Sequence, residues 1–378
     1  MPWEEVSITC LRLDFVKLAT QEGANMSELC RCFGISRKTG YKWLERYSHG
    51  EKESLVDQSR RPYTSPNRTP AEMEERVLQI RCKHPAWGGR KIRWLLLRDG
   101  YVDVPSPSTI TAILRRHGHI DPEESLKHRA FQRFQKEYPN ELWQMDFKGY
   151  FALTEGGYCH PLTVLDDCSR FLVGLRACPD ETHETVQDQL TSIFRCYGMP
   201  DRMLMDNGSP WGDDADNPYT CLTAWLIRLG IGVSHGRPYH PQTQGKDERL
   251  HRTLNAELIS RRSFPDLPAC QVIFDDWREI YNLVRPHEAL DMAVPAERYQ
   301  PSSRPFPDTL PPVLYDVSDT IRKVDKGGRI SFRNHTFRVG KAFRYQPVAI
   351  RPTDTDGDFD VFFCQQRVAH ISLHIHDA

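Results

Sequence analysis

Apolar residues recur at three- and four-residue intervals through the first third of the chain, and at two-residue or unbroken intervals only after Leu142. The helical period predicts helices over about Ile8–Thr20 and Asn25–Phe33, then a third after Gly34-Ile35-Ser36. Gly34 suits the left-handed bend of a helix-turn-helix, Ser36 suits the cap of the third helix, and Leu44 is expected inward beside Ile35. Arg37, Lys38, Thr39, Lys42 and Arg46 are then left to meet DNA. A plain three-helix unit with a solvated basic face explains the same residues; the turn and the basic helix falling together favour DNA binding.

Residues 51–69 carry no apolar period and predict a basic linker after a domain over 1–50, with Arg60 and Arg61 able to track a DNA backbone. A second helix-turn-helix-like domain is expected over 70–120. It opens on Thr69-Pro70-Ala71-Glu72, which reads as a capping box, and continues with helices near Gly89–Arg98 and Ser108–His117. Its expected phosphate contacts are Arg90, Lys91, Arg115 and Arg116. A charged helical connector over 121–140 ends at Pro139-Asn140.

From there the period changes. Strand-like runs at Leu142–Tyr150, Tyr158–Leu165, Arg170–Ala177 and Arg202–Met205 precede or alternate with helical stretches near Thr182–Tyr197, Tyr219–Leu229, Gly245–Arg262 and Leu267–Leu283. This order predicts an α/β domain with a mixed sheet over 141–300. After a proline-rich connector, short strands separated by Lys326-Gly327-Gly328, Arg333-Asn334-His335 and Asp356-Gly357 predict a small β-barrel or sandwich over 313–378. The expected class is multidomain α+β. Asp354, Asp356 and Asp358 lack the later glutamate of a calcium loop and read as a hairpin turn.

Charge refines this division. The net charge of −1 separates into 24 basic against 19 acidic residues over 1–145, 15 against 23 over 146–300, and 11 against 9 over 301–378. Basic flanks around an acidic centre suit phosphate gripped at the ends and cations gathered in the middle. No apolar run approaches the roughly 20 residues of a membrane span, and the start of the chain lacks a secretory signal, so a cytoplasmic protein is expected. Eleven cysteines without a Cys-x-x-Cys pair predict reduced thiols, with neither disulfide nor structural zinc.

Three carboxylates stand where chemistry can use them. Alternation within Leu-Trp-Gln-Met-Asp-Phe-Lys-Gly places Met145 and Phe147 on one strand face and Asp146 with Gln144 and Lys148 on the other. Lys148 is the plain structural partner for that charge. Asp206 ends the strand Met203-Leu204-Met205, at a sheet edge where ligand sites form, though Asp-Asn-Gly is also ordinary turn chemistry. Glu248 lies in the first turn of a helix and points away from Leu250, Leu254 and Leu258; the helix dipole alone would favour it, and Asp247 is its direct competitor. Together, three such carboxylates can hold two hard divalent ions about 4 Å apart across one scissile phosphate.

The segments LWQMDFKG, MLMDNGSPW, RPYHPQTQGKDERLHRTL and YNLVRPHEAL resemble the catalytic core of DDE transposases and retroviral-type integrases, and specifically the insertion-sequence transposases encoded as a single reading frame. The resemblance places the family's Gly-x-x-Glu on Gly245-Lys246-Asp247-Glu248 and its aspartates on Asp146 and Asp206. It implies an RNase H-like fold, two magnesium or manganese ions held by Asp146, Asp206 and Glu248, and cleavage and strand transfer at the terminal inverted repeats of a mobile element. It also implies double-stranded DNA, at the element ends and the target, as partner, and a homo-oligomeric synapse. The protein would be nucleoid-associated when bound. Forty-one residues separate Asp206 from Glu248, more than in the nearest relatives, which implies an altered loop near Gly212–Pro218. The zinc module of retroviral integrases is absent, leaving end recognition to the helix-turn-helix units.

Lys246 and Arg252, with His240 and Gln244, are further candidates for DNA contact, and Asn207 for support of the metal shell. Asp166 and Asp167 in LDDCSR are expected to be turn residues, Trp143 core, and His287 of Arg285-Pro286-His287 either functional or packed. Two rivals remain: a helix-turn-helix regulator with an inactive RNase H-like domain, and a general RNase H-like nuclease without end specificity.

Overall fold

The computed structural model describes residues 7–47, 52–57, 68–120, 135–212, 218–236 and 245–374, which fall into two compact units, 1–68 and 69–378. Arg60, Arg61, His240, Gln244, most of the loop at 212–218 and most of the connector at 121–140 lie outside the described residues.

In the first unit, α1 (Ile8–Ala19), α2 (Met26–Cys32) and α3 (Arg37–Tyr47) close around Phe15, Val16, Cys30, Trp43 and Leu55, with Ile35 and Leu44 against that core. The expected punctuation is present: Gly34 is left-handed at φ 64°, and the Ser36 hydroxyl accepts the Thr39 N–H at 3.2 Å. Gly40 of α3 is buried and leaves no room for a side chain against α1 and α2. A Cβ there would lie 2.7 Å from Cys30 Sγ and 2.8 Å from Phe15 Cζ. Gly40→Val is therefore expected to destabilise this unit by about 1–3 kcal/mol through overpacking, seen as faster amide exchange across α1 to α3 in the full-length protein.

The second unit begins with α4 (Ala71–Lys83), α5 (Gly89–Arg98) and α6 (Pro107–Arg116), packed through Val77, Trp87, Ile92, Leu96, Ile110 and Leu114. Ser106 caps α6 by accepting the Thr109 N–H. The expected capping box on α4 does not form: extended Pro70 occupies the cap and makes no side-chain bond, which leaves Thr69 outside the helix.

A mixed sheet follows, built from β1 (Trp143–Phe147), β2 (Phe151–Ala152), β3 (Tyr158–Asp166), β4 (Leu172–Cys178), β5 (Arg202–Met205) and β6 (Gly232–His235). Its order is β4-β3-β1-β5-β6, with β2 paired to the start of β3. The hairpin strands β1, β3 and β4 are antiparallel, whereas β5 and β6 join parallel to β1 and to each other. On one face, α7 (His183–Tyr197) and α8 (Cys221–Arg228) cover Trp143, Met145 and Val164 with Val186, Leu190, Phe194, Leu222 and Leu226. On the other, α9 (Gly245–Glu257) and α10 (Leu267–Glu279) cover Leu165 and Leu175 with Leu250, Leu254, Phe274 and Trp277. Trp143 is wholly buried, its indole N–H donating to Asn140 Oδ1, so it is core as expected.

The C-terminal strands are β7 (Thr320–Lys323), β8 (Arg329–Phe332), β9 (His335–Arg338), β10 (Pro347–Pro352), β11 (Asp358–Phe363) and β12 (Gln366–Ser372). The expected barrel is instead an open antiparallel sheet, β12-β11-β10-β7, with β8-β9 as a separate hairpin. Alternation along β11 buries Phe359, Val361 and Phe363, and that face is covered by other parts of the chain. Phe332 of β8 meets Phe359 at 4.9 Å, Phe343 meets Phe363 at 5.0 Å, and Tyr219 at the foot of α8 meets Phe343 at 5.4 Å. Closure is unnecessary when the apolar face already has a cover. One buried cluster consequently runs from Trp143 to Ile371. Among the described residues no helix is long and apolar enough to cross a membrane.

Candidate active site

Asp146 lies near the carboxyl end of β1, and Asp206 directly follows the adjacent parallel strand β5, so the two side chains emerge at one sheet edge. The Gly208 N–H donates to Asp206 Oδ1 at 3.0 Å, and His235 Nδ1–H donates to the Asp206 carbonyl at 2.9 Å. Asn207 is turned away: its amide donates to Gly236 O at 2.8 Å and ties this loop to the end of β6.

Burial pushes the Asp146 carboxyl up to about 7, and the neighbouring Asp206, Glu181 and Glu248 add to the shift against the opposing Phe147 N–H. Burial also raises Asp206, opposed by the Gly208 N–H and by His235. Among the described residues no lysine or arginine forms an ion pair with either carboxylate, and Lys148, the plain partner for Asp146, does not reach it. The near contact is His251 of α9, whose Nδ1 stands 3.8 Å from Asp146 Oδ2. Burial, with Lys148, lowers this imidazole to about 4, so it is neutral at pH 7. The Thr163 hydroxyl donates to the Asp146 carbonyl at 3.0 Å and therefore accepts from His251 Nε2 at 2.8 Å, which leaves Nδ1 as a lone pair facing the carboxyl.

α9 separates its two adjacent acids. Asp247 is completely buried, neither carboxylate oxygen has a hydrogen-bond partner, and burial beside Asp146 raises it well above the carboxylate range. Glu248 is exposed at the rim. No three histidine, cysteine or acidic side chains among the described residues converge tightly enough to enclose an ion; Asp146 and Asp206 stand at one sheet edge, and Glu248 is exposed close enough for its charge to be felt at Asp146. An oxygen-only set, with its two aspartates partly buried and without a lysine or arginine partner among the described residues, fits a hard divalent ion.

The remaining candidates scatter. Arg37, Lys38 and Lys42 are exposed along α3; Thr39 bonds the Ser36 hydroxyl, and Arg46 is half-buried over the Trp43 ring. Arg90 and Arg115 border a groove of about 700 Å³ between the amino ends of α5 and α6, where Arg90 pairs with Glu288 at 3.0 Å. Arg116 pairs with Glu74 at 2.6 Å. Arg252 is exposed one turn beyond Glu248. Lys246 is held inward by Asp167 and is not presented to a phosphate. His287 is packed, with its ring 4.9 Å from Tyr281.

Lys91 departs furthest from expectation. It shares a face of α5 with Leu95 and is buried near Arg285 and Glu257, so it cannot reach a phosphate in this arrangement. Burial lowers its ammonium to about 7. The unfolded chain, with a lysine near 10.4, then binds more protons between these values, so stability rises with pH from about 7 toward 10. Lys91→Met is expected to stabilise the protein more at pH 7 than at pH 9.5, as urea unfolding at the two values would show; an equal gain at both would contradict it.

Residues 136–241 match the family model "Integrase core domain", and a second model of that description matches 229–295. Residues 319–378 match "IS481 family transposase, C-terminal domain", 11–63 "Helix-turn-helix domain", and 39–114 "Homeodomain-like domain". These matches cover a helix-turn-helix region, an integrase core and, over 319–378, the C-terminal domain of IS481 family transposases. The chain's relatives include an insertion element IS407 protein of Burkholderia multivorans, 26% identical over 159 residues that span 42% of this chain and 55% of the relative. An insertion element IS476 protein of Xanthomonas euvesicatoria is 27% identical over 159 residues, 42% of this chain and 44% of the relative. The chain thus spans about half the length of these curated relatives. The catalytic core domain of HTLV-2 integrase, solved with magnesium, aligns with 43% of this chain and 97% of its own at 15% identity and a TM-score of 0.32.

Three residues near the site escaped the sequence reading, Thr163, Glu181 and His251, and Asp167 was expected to be a turn residue but instead bonds Gln144, Lys246 and Lys136. Only Asp167 carried a usable signal, a second acid directly beside Asp166 where one suffices for a turn.

Proposed function

We propose that this chain is a transposase: a metal-dependent polynucleotidyl transferase with an RNase H-like core that binds the terminal inverted repeats of a mobile element, cuts there and joins strands. The observation that carries this is the placement of Asp146 and Asp206 at the carboxyl ends of adjacent parallel strands, without a lysine or arginine partner among the described residues and with Glu248 at their rim. Asp146, Asp206 and Glu248 would hold two Mg²⁺ or Mn²⁺ ions, which supply Lewis-acid activation of the attacking oxygen and stabilisation of the leaving one. The protein's own part is to fix these three carboxylates, and through neutral His251 and Thr163 to hold α9 against β1 and β3.

The exposed cations of α3 and of the groove beside α6 would bind duplex ends in the element and target DNA. Two ends would meet in a homo-oligomeric synapse in the bacterial cytoplasm, the chain being nucleoid-associated while bound. The C-terminal sheet would add DNA or subunit contacts. A regulator with an inert core would bind the same duplexes and cut none.

The test is to incubate the full-length protein and Mg²⁺ with labelled duplexes carrying candidate terminal repeats. Strand-transfer products are expected from the wild type and not from Asp206→Asn. Joining that persists in the variant would remove this site from the reaction.

A further inference from the structure

Of the two acids in LDDCSR, Asp166 serves the turn: it accepts from Ser169 N–H and Oγ at 2.8 and 2.5 Å, and from Asn140 N–H at 2.7 Å. Asp167, equally buried, bonds elsewhere. Its Oδ1 accepts from the Gln144 amide at 2.6 Å and pairs with the Lys246 ammonium, while its Oδ2 accepts from Lys136 N–H at 2.8 Å. Gln144 is two residues before Asp146 on the same face of β1, and Lys246 is two residues before Glu248 in the first turn of α9. One carboxylate therefore grips both elements that carry the outer pair of the proposed ligands.

We infer that Asp167 is a positioning residue that sets the separation of Asp146 and Glu248 by bridging β1 to the start of α9. The inference rests on the proposed metal-dependent transferase reading. The Lys246 side chain is only 15% exposed and the Asp167 side chain 0%, so the ammonium is held where only a buried counter-charge makes it tolerable. An amide at 167 keeps an acceptor for Gln144 but removes the charge, so Lys246 swings toward water and the first turn of α9 loses its anchor. Neither Asp146 nor Glu248 is altered by that change; only the separation between them is.

Asp167→Asn, Lys246→Met and the double variant are compared in the full-length protein. Mn²⁺ binding is measured without DNA by the signal of the free ion, alongside Mg²⁺-dependent cleavage, duplex affinity and thermal midpoint. Asp167→Asn is expected to weaken Mn²⁺ binding and slow cleavage at fixed Mg²⁺ by about 10–100-fold each, as loss of a partner behind a metal ligand does. Duplex affinity should stay within about twofold, since phosphate contacts elsewhere carry it. The double variant should be no worse than the worse single one, because both break one link. If Asp167→Asn does not fold, Lys246→Met carries the test from the more accessible end. Unchanged Mn²⁺ affinity in these variants, with only a lower midpoint, would overturn the inference. A wild type that binds Mn²⁺ yet never cuts would count against the transferase reading, while the Mn²⁺ comparison would still decide the role of Asp167.

Discussion

Glu248→Gln is expected to reduce strand cleavage on the order of 10³-fold, whereas Asp247→Val should leave the rate within about threefold and raise stability by about 1–3 kcal/mol. The two residues are adjacent and both carry a carboxyl group, and their surroundings divide them. Asp247 has no exposed surface and no hydrogen-bond partner on either oxygen, so its carboxyl is a desolvated group without compensation. A branched apolar side chain of similar size removes that cost. Glu248 is exposed on the rim and its charge is felt at Asp146, so its loss takes an oxygen from the opening where a scissile phosphate would enter. Cleavage rates and unfolding midpoints of the two variants check both halves. Cleavage lost in Asp247→Val and kept in Glu248→Gln would exchange the roles.

Arg285→Ala should destabilise the protein by about 3–5 kcal/mol, the cost of stripping one partner from a buried ion pair. Arg285 and Glu257 form that pair with side chains 6% and 5% exposed. The second Glu257 oxygen accepts the Trp277 indole N–H at 3.1 Å, and Arg285 also reaches the Thr253 hydroxyl at 3.4 Å. The carboxylate at the far end of α9 is thereby clasped to α10 and to the π-helical turn that follows it, Ile280–Val284. Arg285→Met with Glu257→Gln should recover much of the loss, because no uncompensated charge remains. Urea unfolding of the single and double variants measures this; equal losses in both would mean that packing, not charge, sets the cost.

The helices of both N-terminal modules, the mixed sheet and the sheet-edge aspartates were legible because each rests on local pattern: apolar period, a left-handed glycine, or an acid ending an apolar strand. β6 was not legible. Unlike the apolar run of β5, Gly232–His235 holds a single large apolar residue, Val233, and exists through its parallel pairing with β5. Lys91 and Lys246 were misplaced because a cation on a helix reads as exposed unless its distant acid is known, and Glu257 and Asp167 come from other elements. The open C-terminal sheet was mistaken for a barrel because strand spacing cannot show that Tyr219 and Phe343 already cover its apolar face. Arg285 was singled out without a task, and its partner lies 28 residues earlier in the chain.

The C-terminal sheet shares its interior with the sheet that bears Asp146. A module on a slack tether searches a volume, and its help to a neighbouring site falls as the tether lengthens. This one has no such freedom: Tyr219 donates its hydroxyl proton to Arg367 O at 3.1 Å, and Arg228 Nε–H donates to Pro311 O at 3.0 Å. Whatever the sheet touches is consequently held at a fixed offset from the carboxylates, as by a caliper, and that offset is set by the seam between the two sheets and not by the length of the connector ahead of β7.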